Sequence, residues 1–236
     1  MLLAEVSVSP ENDAIIPPFS SKVAKTMLLD PKDVSISPLK RSDRYLIKFG
    51  GMPRYLQVFS GEVYSFEVGG EEDKVLNALT NLDSRKAFNT LWRVVDVKVS
   101  QVRVDLKESF EVKVMTPALL VSPHRKDKRK VFTNRPSVVF FNNVIDVTKL
   151  GRGDQELNEL LSSLDHALRE EPSVMYYAKV IYAGKEVVGL TGRLRYSLSE
   201  TDEVVVKTLR LSLESAVARG IGSSRRNGFG RVKVMT

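Results

Sequence analysis

Cysteine is absent from this sequence, which removes disulfide frameworks, thiolate metal sites and a thiol nucleophile at one stroke. Histidine is nearly as scarce: the two copies, His124 and His166, both fall in the second half of the 236 residues. His166 has no cysteine or second histidine near it on its helical stretch, so no zinc-type ligand spacing appears. No apolar run approaches the ~20 residues that a bilayer requires, and no charged-then-apolar leader opens the chain. These absences predict a soluble, cytoplasmic protein with no membrane span, no cofactor and no metal. An apolar content of 42% still allows one large domain or two small ones with real cores.

What is present is positive charge, unevenly spread. The formal net charge is +7. Residues 1–107 contribute +1 and residues 108–236 contribute +6. A basic excess gathered in one half points to a polyanion; simple solubility is the plainer alternative. Part of it lies in the basic loop Pro123-His124-Arg125-Lys126-Asp127-Lys128-Arg129-Lys130, and such runs are most often just solvated.

The most informative stretch is the tail, Gly220-Ile221-Gly222-Ser223-Ser224-Arg225-Arg226-Asn227-Gly228-Phe229-Gly230-Arg231, followed by the alternating Val232-Lys233-Val234. Glycine admits positive φ and close backbone approach, and exposed N–H groups beside arginines suit a phosphate. One reading is therefore a nucleic-acid-phosphate loop. The other is a tight helix-to-strand connection whose glycines solve a steric problem. A dinucleotide-binding loop needs a strand before the glycines and a helix after them, the reverse of this order. The longer signature of RNA-recognition motifs is matched only in part, with one of its aromatics and the wrong context.

Periodicity organises the rest. Leu2 to Ser9 alternates as a half-buried strand. Pro17-Pro18 and Ser20-Ser21 start a helix with Phe19, Val23, Ala24, Met27 and Leu28 on its apolar side, ended by Pro31. Lys22 and Lys25 lie side by side on its flank. Extended pieces follow at Val34–Leu39, Arg44–Phe49, Tyr55–Phe59 and Glu62–Val68, with a turn at Gly50-Gly51-Met52-Pro53. A helix over Glu71–Leu82 and a long strand over Leu91–Leu106 complete a βαββαβ order. In the second half, Phe110–Leu120 is a strand, Asp154–Arg169 a helix, and Val174–Tyr182 with Glu186–Leu198 a hairpin. A segment opened by Thr201-Asp202-Glu203 reads as a helix, although Leu209, Leu211 and Leu213 alone would suit a strand. The fold class is α+β: two tandem ferredoxin-like (βαββαβ) domains, 1–107 and 108–236, with a C-terminal glycine-rich loop at 220–230.

The tail resembles the glycine-rich signature that ends the CRISPR-associated repeat-RNA processing endoribonucleases of the RAMP superfamily. Met115-Thr116-Pro117-Ala118-Leu119-Leu120, Gly189-Leu190-Thr191-Gly192-Arg193-Leu194-Arg195-Tyr196 and Ser60-Gly61-Glu62-Val63-Tyr64-Ser65-Phe66 resemble further stretches of that family. The resemblance implies metal-independent cleavage of CRISPR repeat RNA (pre-crRNA). In that reaction the ribose 2′-OH attacks the adjacent phosphate and leaves a 2′,3′-cyclic phosphate. It also admits a homodimer or effector-complex subunits as partners. Many members place a histidine in the first domain as acid or base; residues 1–107 hold none. A histidine-free, archaeal-type branch resembled over Pro17 to Leu29 implies lysines instead, and Lys22, Lys25 and Lys48 are the candidate catalytic cluster. Cation clustering brings an ammonium nearer to a useful pKa. Gly220, Gly222, Ser223, Ser224, Arg225, Arg226, Gly228, Gly230 and Arg231 are the candidate RNA-binding set. The competing function is a RAMP subunit that holds guide RNA in an effector complex without cutting it.

Overall fold

The centre of the first sheet is β1 (Leu2–Pro10), which pairs antiparallel on both flanks. In this computed structural model the described residues are 1–28, 31–52, 54–80, 82–124, 127, 129–199 and 202–236. After β1 come β2 (Ala14–Ile16), α1 (Ser21–Met27), β3 (Ser35–Ile36), β4 (Lys40–Arg41), β5 (Arg44–Tyr45), β6 (Leu56–Val58), β7 (Tyr64–Gly70), α2 (Glu72–Thr80), β8 (Arg85–Ala87) and β9 (Thr90–Gln101). The sheet runs β5-β4-β7-β1-β9-β8, with β3 also against β7, while β2 and β6 pair apart. Setting aside β3, β5 and β8, the order β4-β7-β1-β9 is that of a ferredoxin-like unit. Alternation explains its core: Ala4, Val6 and Val8 are fully buried, beside Val23, Ala24 and Met27 of α1 and Val75 of α2. Each fully buried side chain of valine or methionine size contributes about 1.5–3 kcal/mol.

The second sheet is built from β10 (Ser109–Ala118), β11 (Leu168–Tyr182), β12 (Lys185–Leu198) and β13 (Val232–Met235). Its strand order, β11-β12-β10-β13, is the same ferredoxin pattern. Helices α3 (Pro136–Val139), α4 (Phe141–Thr148) and α5 (Gln155–Ala167) lie between β10 and β11, and α6 (Glu203–Arg219) precedes the tail. Asp202 accepts from the Val204 amide and starts α6, so Leu209, Leu211 and Leu213 are helical and the strand alternative is not taken. Val112, Val114, Leu194 and Val232 form the apolar side of the sheet, with Leu157, Leu161, Leu209 and Leu213 from the helices.

Two compact units result: Met1–Val102 with Ala178–Val188 and Arg225–Gly228, and Arg103–Tyr177 with Gly189–Ser224 and Phe229–Thr236. The hairpin tip and the loop tip thus belong to the first unit, although their stems belong to the second.

Several expected boundaries move. The extended piece over Arg44–Phe49 is a strand only at Arg44–Tyr45; Ile47 and Phe49 make single bridges to Phe19 and Val180. The long strand expected to Leu106 ends at Gln101, because β1 has no residue left to pair once Val102 N reaches the Met1 carbonyl. Helices α3 and α4 were not expected. Leu29, Pro53, Arg125, Lys126, Lys128 and Thr201, which figure in the sequence reading, lie outside the described residues. No helix among the described residues is long and apolar enough to cross a membrane.

Candidate nucleic-acid interface

The start of α1 is where the candidate residues converge. Ser20 flanks the helix without capping it; its Oγ donates to the Leu46 carbonyl and accepts from the Leu39 amide. One buried hydroxyl thereby ties the helix start to the segment 39–46. Two residues on, the Lys48 amide donates to the Pro18 carbonyl at 2.8 Å. Lys48 itself is exposed, and Lys22 and Lys25 are half-buried on the outer side of α1. The expected strand at Lys48 is a single bridge at Ile47, and the contact it makes is through the Lys48 backbone to Pro18, ahead of α1.

The tip of the glycine tail reaches the same place. Arg225–Asn227 form one 3₁₀ turn, and Gly228 follows with φ +89°. A Cβ on Gly228 would lie 2.9 Å from Ser21 Cβ and 2.9 Å from Pro38 Cδ, so only glycine lets the backbone sit against the first residue of α1. Arg226 Nη1 donates to the Lys32 carbonyl at 2.8 Å, and both Arg226 and Ser224 are exposed. Beside this lies a groove of about 180 Å³ lined by Pro18, Phe19, Lys22, Tyr55, Tyr182 and Gly184. Phe19 and Tyr182 meet edge to face, with ring centroids 5.7 Å apart. Cations next to apolar and aromatic walls can hold phosphates and accommodate a base.

The stems of the tail are built differently. Ile221 N donates to the Gly230 carbonyl at 2.8 Å and Gly230 N to the Pro117 carbonyl at 3.0 Å. Ser223 N and Oγ both donate to the Leu119 carbonyl at 2.9 Å. The stretch Thr116–Leu119 is therefore the floor that receives the tail. Gly230, at φ +72°, packs on the Ile221 backbone with no room for a side chain. Gly220, Gly222, Gly228 and Gly230 are all buried.

Residues 2–102 match the protein family described as the Cas6 N-terminal domain. Over that stretch the chain is similar to a Cas6 N-terminal domain. Solved structures extend the likeness in fold to the whole chain. A Thermus thermophilus Cas6 in its product complex superimposes with a TM-score of 0.69 at 12% identity, covering 99% of this chain and 98% of that one. A structure described as an RAMP protein binding different RNA substrates gives 0.61 at 15%, covering 100% of both. One from a Cas6-related gene of Pyrococcus furiosus gives 0.57 at 13%, covering 99% and 98%. No curated protein sequence matches the chain.

Within this Cas6-like frame one expected contact residue is corrected. Arg231 is 1% exposed. Its guanidinium donates to the Ala218 carbonyl at 2.7 Å and the Val217 carbonyl at 3.2 Å, closing the C-terminal end of α6 where the helix dipole favours a cation. It faces the core and is closed to solvent. Ser223 is also engaged: besides Leu119, its Oγ accepts from Lys130 Nζ at 3.0 Å. The basic loop thus contributes a brace for the tail through Lys130.

Sequence reasoning missed Asn143, in a stretch not read as helical. Its Nδ2 donates to the Gly220 carbonyl at 3.0 Å and to Ser215 Oγ at 3.1 Å. Ser215 donates on to Asp146 Oδ2, and Arg219 pairs with Asp146 Oδ1 at 3.0 Å. This buried chain fixes where α6 hands over to the tail.

Proposed function

We propose that the chain is a metal-independent endoribonuclease that cuts CRISPR repeat RNA to release guide RNAs. The observation that carries this reading is the seating of Gly228, the hinge of an arginine-bearing tip, on Ser21 beside Lys22, with Lys48 tied to Pro18. In the proposed reaction an amine of the lysine cluster takes the 2′-OH proton as the 2′-oxygen attacks the adjacent phosphorus, the P–O5′ bond breaks, and an ammonium of the same cluster gives O5′ its proton. The products are a 2′,3′-cyclic phosphate and a 5′-hydroxyl. Lys22, Lys25 and Lys48 supply the leaving-group proton and positive charge at the scissile phosphate, while Arg225 and Arg226 hold flanking phosphates. Loss of one electrostatic stabiliser costs on the order of 10²–10³ in rate, and loss of a proton-transfer group roughly 10²–10⁴.

Repeat RNA incubated with excess EDTA tests the reading. A single cut at a fixed position, abolished by a 2′-deoxy substitution immediately upstream, is the expected result. Lys25→Ala slows the cut with modest loss of binding, whereas Arg225→Ala with Arg226→Ala mainly weakens binding and flattens its salt slope. Binding without any cut favours the second reading, a subunit that holds guide RNA in an effector complex. That reading draws support from the absence of histidine in residues 1–107.

A further inference from the structure

One side of the second unit's sheet is apolar and buried; the other carries charge in an arrangement that the tail does not explain. Lys113 of β10 stands directly opposite Arg193 of β12 on one flank and directly opposite Lys233 of β13 on the other. Because their chain neighbours Val112, Val114, Leu194 and Val232 point into the core, all three cations point away from it. At a strand spacing of about 4.8 Å the row is about 10 Å long at the backbone. Like charges directly opposite one another destabilise a ladder, so the row lowers the stability of the sheet until an anion covers it.

The chain supplies little cover of its own. Glu111, one position along the same side, has Oε2 2.9 Å from Arg195 Nε and Oε1 3.7 Å from Arg193 Nε. Among the described residues neither Lys113 nor Lys233 has an ion-pair partner. Arg193, Arg195 and Lys233 are exposed and Lys113 is half-buried. Met235 completes the row of Glu111 and Arg195, and neither row contains an aromatic ring. A surface with guanidinium and ammonium groups but no stacking platform grips phosphates and is indifferent to the bases.

We infer that the row Arg193–Lys113–Lys233 is a second RNA contact, a binding stripe for the phosphate backbone of single-stranded RNA, separate from the glycine-tail tip. The inference rests on the RNA reading proposed above and gives a second stretch of the strand a place on the protein. It also locates part of the basic excess of residues 108–236 on one face. Glu111 acts in it as a brake, holding Arg193 and Arg195 away from a ligand.

The test uses the full chain, labelled repeat RNA and an oligouridine of equal length, each titrated across a salt series. The triple variant Lys113→Gln/Arg193→Gln/Lys233→Gln binds both RNAs about tenfold or more weakly, and its log–log salt slope is shallower by about 2, from ~0.7 per phosphate contact on a single strand. Its thermal midpoint is at or above the wild-type value, because repulsion has been removed. Glu111→Gln moves the other way, to tighter binding and a steeper slope. Wild-type affinity and slope in the triple variant overturn the stripe and leave the tail reading standing; a wild-type chain that binds neither RNA overturns both. Should the triple variant melt early, Glu111→Gln decides alone, and unchanged affinity and slope there overturn the stripe.

Discussion

Arg231→Met separates a structural arginine from an RNA-binding one. Methionine preserves most of the aliphatic stem and removes the guanidinium, which is 1% exposed and donates to the Ala218 and Val217 carbonyls. Hydrogen bonds from a charged donor contribute about 1.5–3 kcal/mol each, and the two carbonyls lose their donor in a place water does not reach. Against this, a buried cation carries a desolvation cost that the substitution relieves. The C-terminal end of α6 returns part of that cost to arginine, because its unpaired carbonyls favour positive charge. The balance is a loss of about 2–4 kcal/mol, which lowers the melting midpoint of a chain of this size by roughly 6–12 °C. Calorimetry measures the midpoint, and RNA titrations at several salt concentrations measure the slope. A midpoint within a degree of the wild type, together with a salt slope shallower by about 1, would refute the reasoning and return Arg231 to the RNA-contact set.

Gly228→Ala places a methyl group 2.9 Å from Ser21 Cβ and Pro38 Cδ at φ +89°. The left-handed backbone costs an alanine about 1–2 kcal/mol and the overpacking about 1–3 kcal/mol. The tip lifts from α1, so amide exchange over residues 224–229 quickens while the global midpoint shifts little; unchanged exchange there would contradict the proposed seating. Asn143→Leu leaves the Gly220 carbonyl without its donor and destabilises the chain by about 1–3 kcal/mol, read as a lower urea midpoint, and a neutral result would remove Asn143 from the account. Lys40 Nζ lies 2.7 Å from Glu5 and 3.0 Å from Glu67. Burial pulls the Lys40 ammonium down, but the two carboxylates outweigh it and hold the pKa above the ordinary lysine value. The hydrogen bond from Lys40 leads in holding Glu5 below the usual carboxylate range. Stability from Glu5 is present above its unfolded pKa and lost as pH falls through the lowered one; stability from Lys40 is complete below its unfolded pKa and lost as pH rises through the raised one. Lys40→Met therefore costs most between about pH 5 and pH 10, and a midpoint difference that stays constant into acid would count against it.

How much was legible depended on whether the partner of each residue was local. β1, α5 and the hairpin of β11 and β12 follow from periodicity, because one side of each is apolar and the other is not; α6 follows from its place in the βαββαβ order. Helices α3 and α4 escaped for other reasons: α3 is only four residues long, and Val138, Val139, Phe140, Phe141 and Val144 belong to a β-branched and aromatic run of low helix propensity. Arg44–Phe49 alternates as a strand does, but Ile47 and Phe49 bridge to Phe19 and Val180, partners that local alternation does not reveal. At the candidate site, lysines beside a helix start and glycines in a tail were readable. That Arg231 turns inward and Ser223 is bound by Lys130 was not, since both follow from distant backbone and side-chain partners and charged residues are exposed by default.

The two readings of the tail describe different parts of it. At the stems sterics rule: Gly220, Gly222 and Gly230 are buried, and the carbonyls of Pro117 and Leu119 take up the amides of Gly230 and Ser223. A connection needed only to join α6 to β13 would be complete with those bonds. Between the stems, however, the chain runs out through Ser224, Arg225, Arg226 and Asn227, turns once, and is seated on Ser21 by a fourth glycine. Nothing in joining a helix to a strand requires that excursion, nor two arginines on it. The tight stems make it workable, because a short polar turn anchored at both ends loses little conformational entropy when a ligand binds. The steric glycines thus supply the rigidity that the proposed phosphate contacts require, and the same backbone bonds serve both purposes.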